Sequence, residues 1–251
     1  MPVDEILQYA IYFLLIVLIV IGIRYLWLGI TQRVHHPEMW TVLRKRGKIP
    51  ASVVSIEKQY PDKVRLYNFW FQLMRLDHDS VEGAMAELGV YKGESAEIIH
   101  QCAPERDFYL FDTFSGFMHD DIVAETGEAA TYTEANFADT DMQVVKQRLG
   151  ESRHIIYKKG YFPGSAKGLE EEKFAFVSID ADLYKPVKAA LRFFYPRLSP
   201  GGVIIIHDYN EKWAGLMKAV DDFVKDIPET LIHVPDRYGS VMVVKNKLQP
   251  H

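Results

Sequence analysis

The 251-residue chain has one cysteine, Cys102. A single thiol cannot close an intrachain disulfide, so a disulfide-stapled scaffold is excluded. Positive charge is not in excess either: 29 Lys and Arg stand against 34 Asp and Glu, for a net charge of -5. That balance leaves no electrostatic footprint for nucleic acid as a main partner. No G-x-G-x-x-G follows any strand candidate, which counts against a dinucleotide cofactor. There is no internal repeat and no low-complexity tract. What is there is globular in character, with 48% hydrophobic and 25% charged residues, and long enough for one ordinary domain plus one helix. Cys102 lies in an apolar helical pattern with Ala96, Ile98 and Ile99, and reads as core rather than as a reactive thiol.

Charge is also missing from Tyr9 to Ile23, YAIYFLLIVLIVIGI. With its apolar flanks the run reaches roughly 22–25 residues, enough to cross a hydrocarbon core of about 30 Å as a helix. Arg24 can snorkel at one end, and Tyr25 and Trp27 suit an interfacial belt. A cleaved signal peptide would want a basic start and a small-residue cleavage site; Asp4 and Glu5 are acidic and no A-x-A-like site follows. A buried core helix apolar all round is rare in a domain this small. Arg24, Arg33, Arg44, Lys45, Arg46 and Lys48 follow the run, so the positive-inside rule places a single-pass anchor with the C-terminal domain in the cytosol. The same collar is suited to anionic lipid.

Three regions are expected: an anchor over 1–32, a juxtamembrane linker with cap helices over 33–80, and a catalytic domain over 81–247. His35 to Asp79 is punctuated by Pro37 and Pro50, and Val64–Leu76 is apolar and aromatic at helical spacing. That helix is too short for a second span and carries Arg65 and Arg75, so it reads as a cap or half of a substrate wall. From Val81 strands and helices alternate, which predicts an α/β fold with a parallel sheet covered on both faces. Strands are expected at Gly83–Val90, Phe108–Asp112, His154–Lys158, Phe174–Asp180, Val203–His207, Thr230–Val234 and Ser240–Val244. Helices are expected at Ser95–Cys102, Met142–Leu149, Pro186–Phe194 and Trp213–Asp226. Only Pro235 to Gly239 separates the last two strands, so they form an antiparallel hairpin.

Glu87 to Ser95, ELGVYKGES, follows an apolar strand and opens a helix. Gly89 and Gly93 permit a tight turn and close backbone approach to a ligand. Asp112 ends the next strand about 20 residues on, a spacing that suits a carboxylate accepting ribose hydroxyls of an adenosine cofactor; a strand-end aspartate also caps turns. Asp180 and Asp182 end the fourth strand and His207 and Asp208 the fifth. In a parallel sheet those ends are neighbours, so Asp180, His207 and Asp208 can converge on a divalent metal. Alternatively, Asp208 caps the following helix.

Taken in order, Glu87–Ser95, Tyr109–Phe117 (YLFDTFSGF), Lys159–Pro163 (KGYFP), Phe176–Pro186 (FVSIDADLYKP) and Phe193–Asn210 (FFYPRLSPGGVIIIHDYN) resemble the macrocin O-methyltransferase family. The resemblance covers about residues 65–247. It implies a Rossmann-like class I methyltransferase sheet of seven strands ending in the hairpin. It also implies S-adenosylmethionine and Mg2+ as cofactors, and methylation of a sugar hydroxyl. Glu87, Gly89, Tyr91, Gly93 and Ser95 would line the methionine end, and Asp112 would hold the ribose. Asp180 would be a metal ligand that also helps deprotonate substrate, with His207 and Asp208 completing the site. The family's usual pattern at the latter two positions is two aspartates, and His207 departs from it. His119, in the polar stretch Met118–Asp141 that suits a lid, is a candidate base. Relatives of this kind are often oligomeric, which makes the Val64–Leu76 helix a candidate homo-oligomer interface. The added anchor points to a small-molecule or glycolipid acceptor at the membrane. Two other readings compete: a membrane-tethered scaffold that has lost catalysis, and, less favoured, a nicotinamide-dependent oxidoreductase.

Overall fold

The computed structural model describes residues 3–31 and 36–247. Arg33 and His35, and the expected boundary at 32/33, lie outside the described residues. The chain divides into two compact units, Met1–Lys48 and Ile49–His251, so the division falls inside the stretch expected to be linker and cap.

The first unit holds helices α1 (Val3–Thr31) and α2 (Glu38–Lys45). Within α1, Glu5–Trp27 is apolar enough and long enough to cross a membrane, and none of its most apolar window is buried. Length and composition make it a candidate membrane span.

The second unit opens with α3 (Ala51–Gln59) and α4 (Lys63–His78). Asp62 caps α4 by accepting from the Arg65 backbone N–H at 3.0 Å. Leu66, Phe69, Trp70, Leu73 and Leu76 recur at helical spacing and are buried. Phe69 meets Phe176 edge-on at 5.9 Å and the His207 ring at 5.5 Å, so α4 packs on the domain as a cap.

The sheet follows: β1 (Ala84–Leu88), α5 (Glu94–Cys102), β2 (Phe108–Asp112), α6 (His119–Ile122), α7 (Met142–Leu149), β3 (Ile155–Lys159), β4 (Phe174–Ile179), α8 (Tyr184–Arg197), β5 (Leu198–Ile206), α9 (Ala214–Val224), β6 (Ile232–Val234) and β7 (Ser240–Val244). The strand order is β3-β2-β1-β4-β5-β7-β6. β1 to β5 pair in parallel, and β7 runs antiparallel to both β5 and β6. Central strands β1 and β4 are buried along their whole length, as a sheet covered on both faces requires. One face is filled by rings: Phe194 lies 5.0 Å from Phe174, 5.5 Å from Phe162 and 5.8 Å from Phe111, centroid to centroid.

Of the element starts that differ from expectation, two have a plain physical cause. β5 begins at Leu198, five residues early, because pairing with β4 resumes across a register shift that absorbs Pro200-Gly201-Gly202; a turn signal here makes a bulge. α8 begins at Tyr184, with Pro186 in its first turn, where a missing N–H costs nothing.

Candidate active site

Strand order reverses between β1 and β4, and in open α/β sheets ligands bind beyond the carboxyl ends of the strands at such a point. A cavity of about 640 Å3 lies there, lined by the loops after β1, β2, β4 and β5 and by the cap. That volume is ordinary for a small-molecule site.

The glycine turn forms one wall. Gly89 has φ +86, and a Cβ there would sit 1.9 Å from the Asp180 carbonyl oxygen; only glycine lets the end of β1 pass the end of β4 this closely. Gly93, at φ +80, caps α5. Asp112 fastens the turn to β2: one carboxylate oxygen accepts from the Val90 and Tyr91 N–H groups at 2.7 and 2.9 Å, the other from Phe114 at 2.7 Å. It caps turns and lines the cavity at once. Gly89, Tyr91, Ser95 and Asp112 line the cavity, whereas Gly93 does not. Glu87 also stays behind the wall, fully buried. Burial pushes its carboxyl up to about 8, with Asp180 and Asp112 adding to the rise. Neither of its oxygens has a hydrogen-bond partner; the Ser95 hydroxyl lies near enough to offset part of the shift without meeting hydrogen-bond geometry.

The acidic wall comes from the ends of β4 and β5. One carboxylate oxygen from each of Asp180, Asp182 and Asp208 lies within 4.8 Å of the other two. Asp182 and Asp208 adopt φ of +57 and +59, a left-handed conformation that costs about 1–3 kcal/mol at a non-glycine residue and recurs at functional sites. Burial raises both carboxyls well above the usual range, and neighbouring aspartates raise them further. Asp208 Oδ1 is buried without a partner. Hard oxygens crowded together with an unfilled acceptor fit a divalent cation. Asp208 does not cap the following helix: the Asn210 side chain caps a 3-10 turn over Glu211–Trp213, accepting from the Lys212 N–H at 3.0 Å, and α9 begins after it without a side-chain cap.

His207 is not brought into this cluster. It is 1% exposed, and its ring nitrogens face Ser178 Oγ at 3.0 Å and Ser240 Oγ at 2.8 Å. The Ser240 hydroxyl donates to Asp236, so it accepts from His207 Nδ1–H, and Nε2 accepts from Ser178. Burial holds the ring neutral. Its one lone pair is spent inside the core, and Asp182 stands where a histidine ligand was expected. His119 is also apart: its side chain is 71% exposed and faces Glu134 at 3.3 Å, and it does not line the cavity.

The segment 118–141 lies over the cavity on an apolar underside. Tyr132 stacks on Phe117 at 5.3 Å, and Phe137 meets the Tyr91 ring at 5.1 Å. Asp139 accepts from the Tyr91 hydroxyl at 2.8 Å and pairs with Lys92, which pins the segment to the glycine turn.

Sequence reasoning passed over Tyr60 and Arg65, which reach the cavity from the cap. Arg65 Nη1 lies 3.3 Å from Asp180, Nη2 3.7 Å from Asp208 and Nε 3.3 Å from Asp236. The available signal was a cation at position i of an apolar stripe whose next members are Phe69 and Leu73. Cys102 is half-buried and burial pushes its thiol up to about 12, away from reactivity.

A mostly parallel seven-stranded sheet, with an antiparallel final pair and its cavity at the switch point, defines a Rossmann-like methyltransferase fold. The profile of the family described as Macrocin-O-methyltransferase (TylF) matches residues 57–241, and the chain belongs to that family. Similar proteins include the 8-demethyl-8-(2,3-dimethoxy-alpha-L-rhamnosyl)-tetracenomycin-C 4'-O-methyltransferase of Streptomyces olivaceus, 27% identical over 58% of this chain and 60% of that protein. Mycinamicin III 3''-O-methyltransferase of Micromonospora griseorubida is 30% identical over 52% of this chain and 57% of its own length. The chain thus spans about 60% of the length of these relatives. Among solved structures, the O-methyltransferase NovP superposes with a TM-score of 0.62 at 22% identity, covering 74% of this chain and 81% of that one. The calicheamicin methyltransferase CalS11 gives 0.56 at 20% identity, covering 88% and 90%. At those identities the likeness is one of fold.

Proposed function

We propose that this chain is an S-adenosylmethionine-dependent O-methyltransferase acting on a hydroxyl of a sugar or glycosylated acceptor. The observation that carries the reading is one cavity with two unlike walls in a chain of this family. The glycine turn with Asp112 suits a nucleoside, and the acidic cluster suits an activated hydroxyl. Gly89, Tyr91, Ser95 and Asp112 would hold the cofactor, with Gly93 shaping the turn and Glu87 beneath it. Asp112 Oδ1, which accepts one backbone N–H, keeps lone-pair capacity for a ribose hydroxyl. Asp180, Asp182 and Asp208 would hold a divalent cation, Mg2+ being suited to hard oxygens. When bound, such a cation lowers the pKa of an oxygen it touches, and the cofactor supplies the methyl group from its sulfonium.

The residues of the chain do the rest. The acidic wall orients the acceptor hydroxyl and takes its proton; Asp180 is the proposed base, and Asp182, raised toward the operating pH, is equally placed to share it. The deprotonated oxygen would then be held facing the cofactor side of the cavity, formed by Gly89, Tyr91, Ser95 and Asp112. The segment 118–141 keeps water out. The named substrates of the two curated relatives are glycosides, which supports a sugar acceptor here.

Helix α1 supports a membrane-tethered enzyme. Arg24 near its C-terminal end and the basic residues that follow it, Arg44, Lys45, Arg46 and Lys48, support a cytosolic second unit and a lipid-linked sugar or glycolipid headgroup as acceptor. The test is transfer of labelled methyl groups to glycolipid and soluble glycoside acceptors. Asp180→Asn is expected to lower turnover at least ~100-fold while S-adenosylhomocysteine still binds. Full activity in that variant would remove Asp180 from the chemistry, and equal turnover of soluble and lipid-linked acceptors would remove the lipid preference.

A further inference from the structure

Four carboxylates converge near the ends of β4, β5 and the β6–β7 turn: Asp180, Asp182, Asp208 and Asp236. Among the described residues the cation paired with them is Arg65, held 3.3 Å from Asp180, 3.7 Å from Asp208 and 3.3 Å from Asp236. Its side chain is 10% exposed. This is not a surface pair worth a few tenths of a kcal/mol; in a buried cluster, attraction and desolvation are both large.

The guanidinium is held from behind. Asp236 takes its Nε–H with one oxygen, and that oxygen also accepts from the Ser240 hydroxyl. The other Asp236 oxygen accepts from the Ser240 N–H. Ser240 in turn accepts from His207, which is fixed by Ser178. A chain of bonds thus runs from the core to the cluster and sets the direction of the Arg65 fork. The front of the fork is less complete. Nη2 has no hydrogen-bond partner, and neither has Asp208 Oδ1, the atom it faces. A positive and a negative group are held facing each other, close enough to attract and too far apart to bond. Such a gap can close on the arginine or admit a second cation on the aspartate.

We propose that Arg65 is a resident counter-ion of the acidic cluster, which keeps the aspartates gathered and lowers their affinity for a divalent cation. This rests on the reading of Asp180, Asp182 and Asp208 as a cation site. A fixed positive charge beside the ligands repels an incoming divalent ion through a medium that screens poorly. It also offsets their mutual repulsion while no ion is bound, so the geometry is ready before the ion arrives. Arg65 is a positioning residue here, acting through the aspartates. Because it sits on α4, the cap and the charge of the site are one device.

The test is titration of Mn2+ into the detergent-solubilised full chain, followed by the loss of the free-ion paramagnetic signal. Wild type, Arg65→Gln, Arg65→Lys and Asp208→Asn are compared. Arg65→Gln is expected to bind Mn2+ about tenfold more tightly than wild type, or more. Arg65→Lys, which keeps the charge, stays within about threefold of wild type on the same ground. Asp208→Asn loses binding. Arg65→Met, which fills the stem without charge, takes the place of the glutamine variant if that does not fold. Equal or weaker Mn2+ binding in the neutral variants, with wild type binding normally, overturns the role of Arg65 and leaves the cation site standing. Tightening of equal size in Arg65→Lys overturns it as well, since charge would not be the cause. Absence of Mn2+ binding in every variant overturns both the counter-ion and the site.

Discussion

Glu87 is a carboxyl at the base of the cavity with nothing to satisfy it. In the unfolded chain it would lose its proton near 4.5, and in the folded chain it keeps it until about 8. Between those values the folded state binds more protons than the unfolded, so stability falls as pH rises through that window. Glu87→Gln removes the term, so thermal melts from pH 5 to 8 should fall less steeply in the variant than in wild type, with the variant more stable at pH 8. Equal slopes would show that Glu87 is ionised at no cost. The site residues legible in the sequence were those at strand ends, because a parallel sheet fixes where strand ends meet: Asp112, Asp180 and Asp208 all face the cavity. His207 was misplaced because adjacent residues at a strand end point opposite ways. Asp208 turns to the cavity and His207 to the core. Arg65 and Asp236 were missed since their meeting spans 171 positions, and no local pattern reports such a contact.

Among elements, strands and helices with a clean pattern were read to the residue: β2, β7 and α7 match expectation. Those with proline or glycine inside were not, because a proline in a first turn and a bulge in a strand use the same residues as breaks do. The cap helix α4 ties these elements to function. It is held at its start by Asp62, whose second oxygen also accepts from the Arg237 N–H at 2.8 Å, so one side chain joins the cap to the β6–β7 turn. Asp62→Ala should cost about 1 kcal/mol for the lost cap, seen as a lower melting temperature. Below the cavity, the rings around Phe194 carry the sheet. Phe194 is fully buried, and Phe194→Ala is expected to destabilise by about 3–5 kcal/mol in denaturant unfolding. A loss under 1 kcal/mol would mean that Phe111, Phe162 and Phe174 collapse into the space.

At the scale of the whole molecule, two units answer two solvents. The first holds an apolar helix whose most apolar window is exposed, and the second buries a full sheet. On the proposed topology, with the second unit in the cytosol, protease added to intact cells should leave it whole and should cut it once cells are opened. Digestion in intact cells would reverse the topology. Fold class was legible from alternating strands and helices and the final hairpin, since connectivity of that kind admits few arrangements. The acceptor was not legible, because the aromatic side chains that segment 118–141 adds to the cavity wall are placed by contacts with distant elements, such as Tyr132 accepting from Trp213. The reading depends most on the nucleoside half of the cavity. Calorimetric titration of the detergent-solubilised chain with S-adenosylhomocysteine, with and without Mg2+, tests it directly. Micromolar binding, weakened at least tenfold in Asp112→Ala (about 1.4 kcal/mol or more), is the result expected. No heat of binding under either condition would contradict a methyltransferase and leave a tethered protein that keeps the fold without its chemistry.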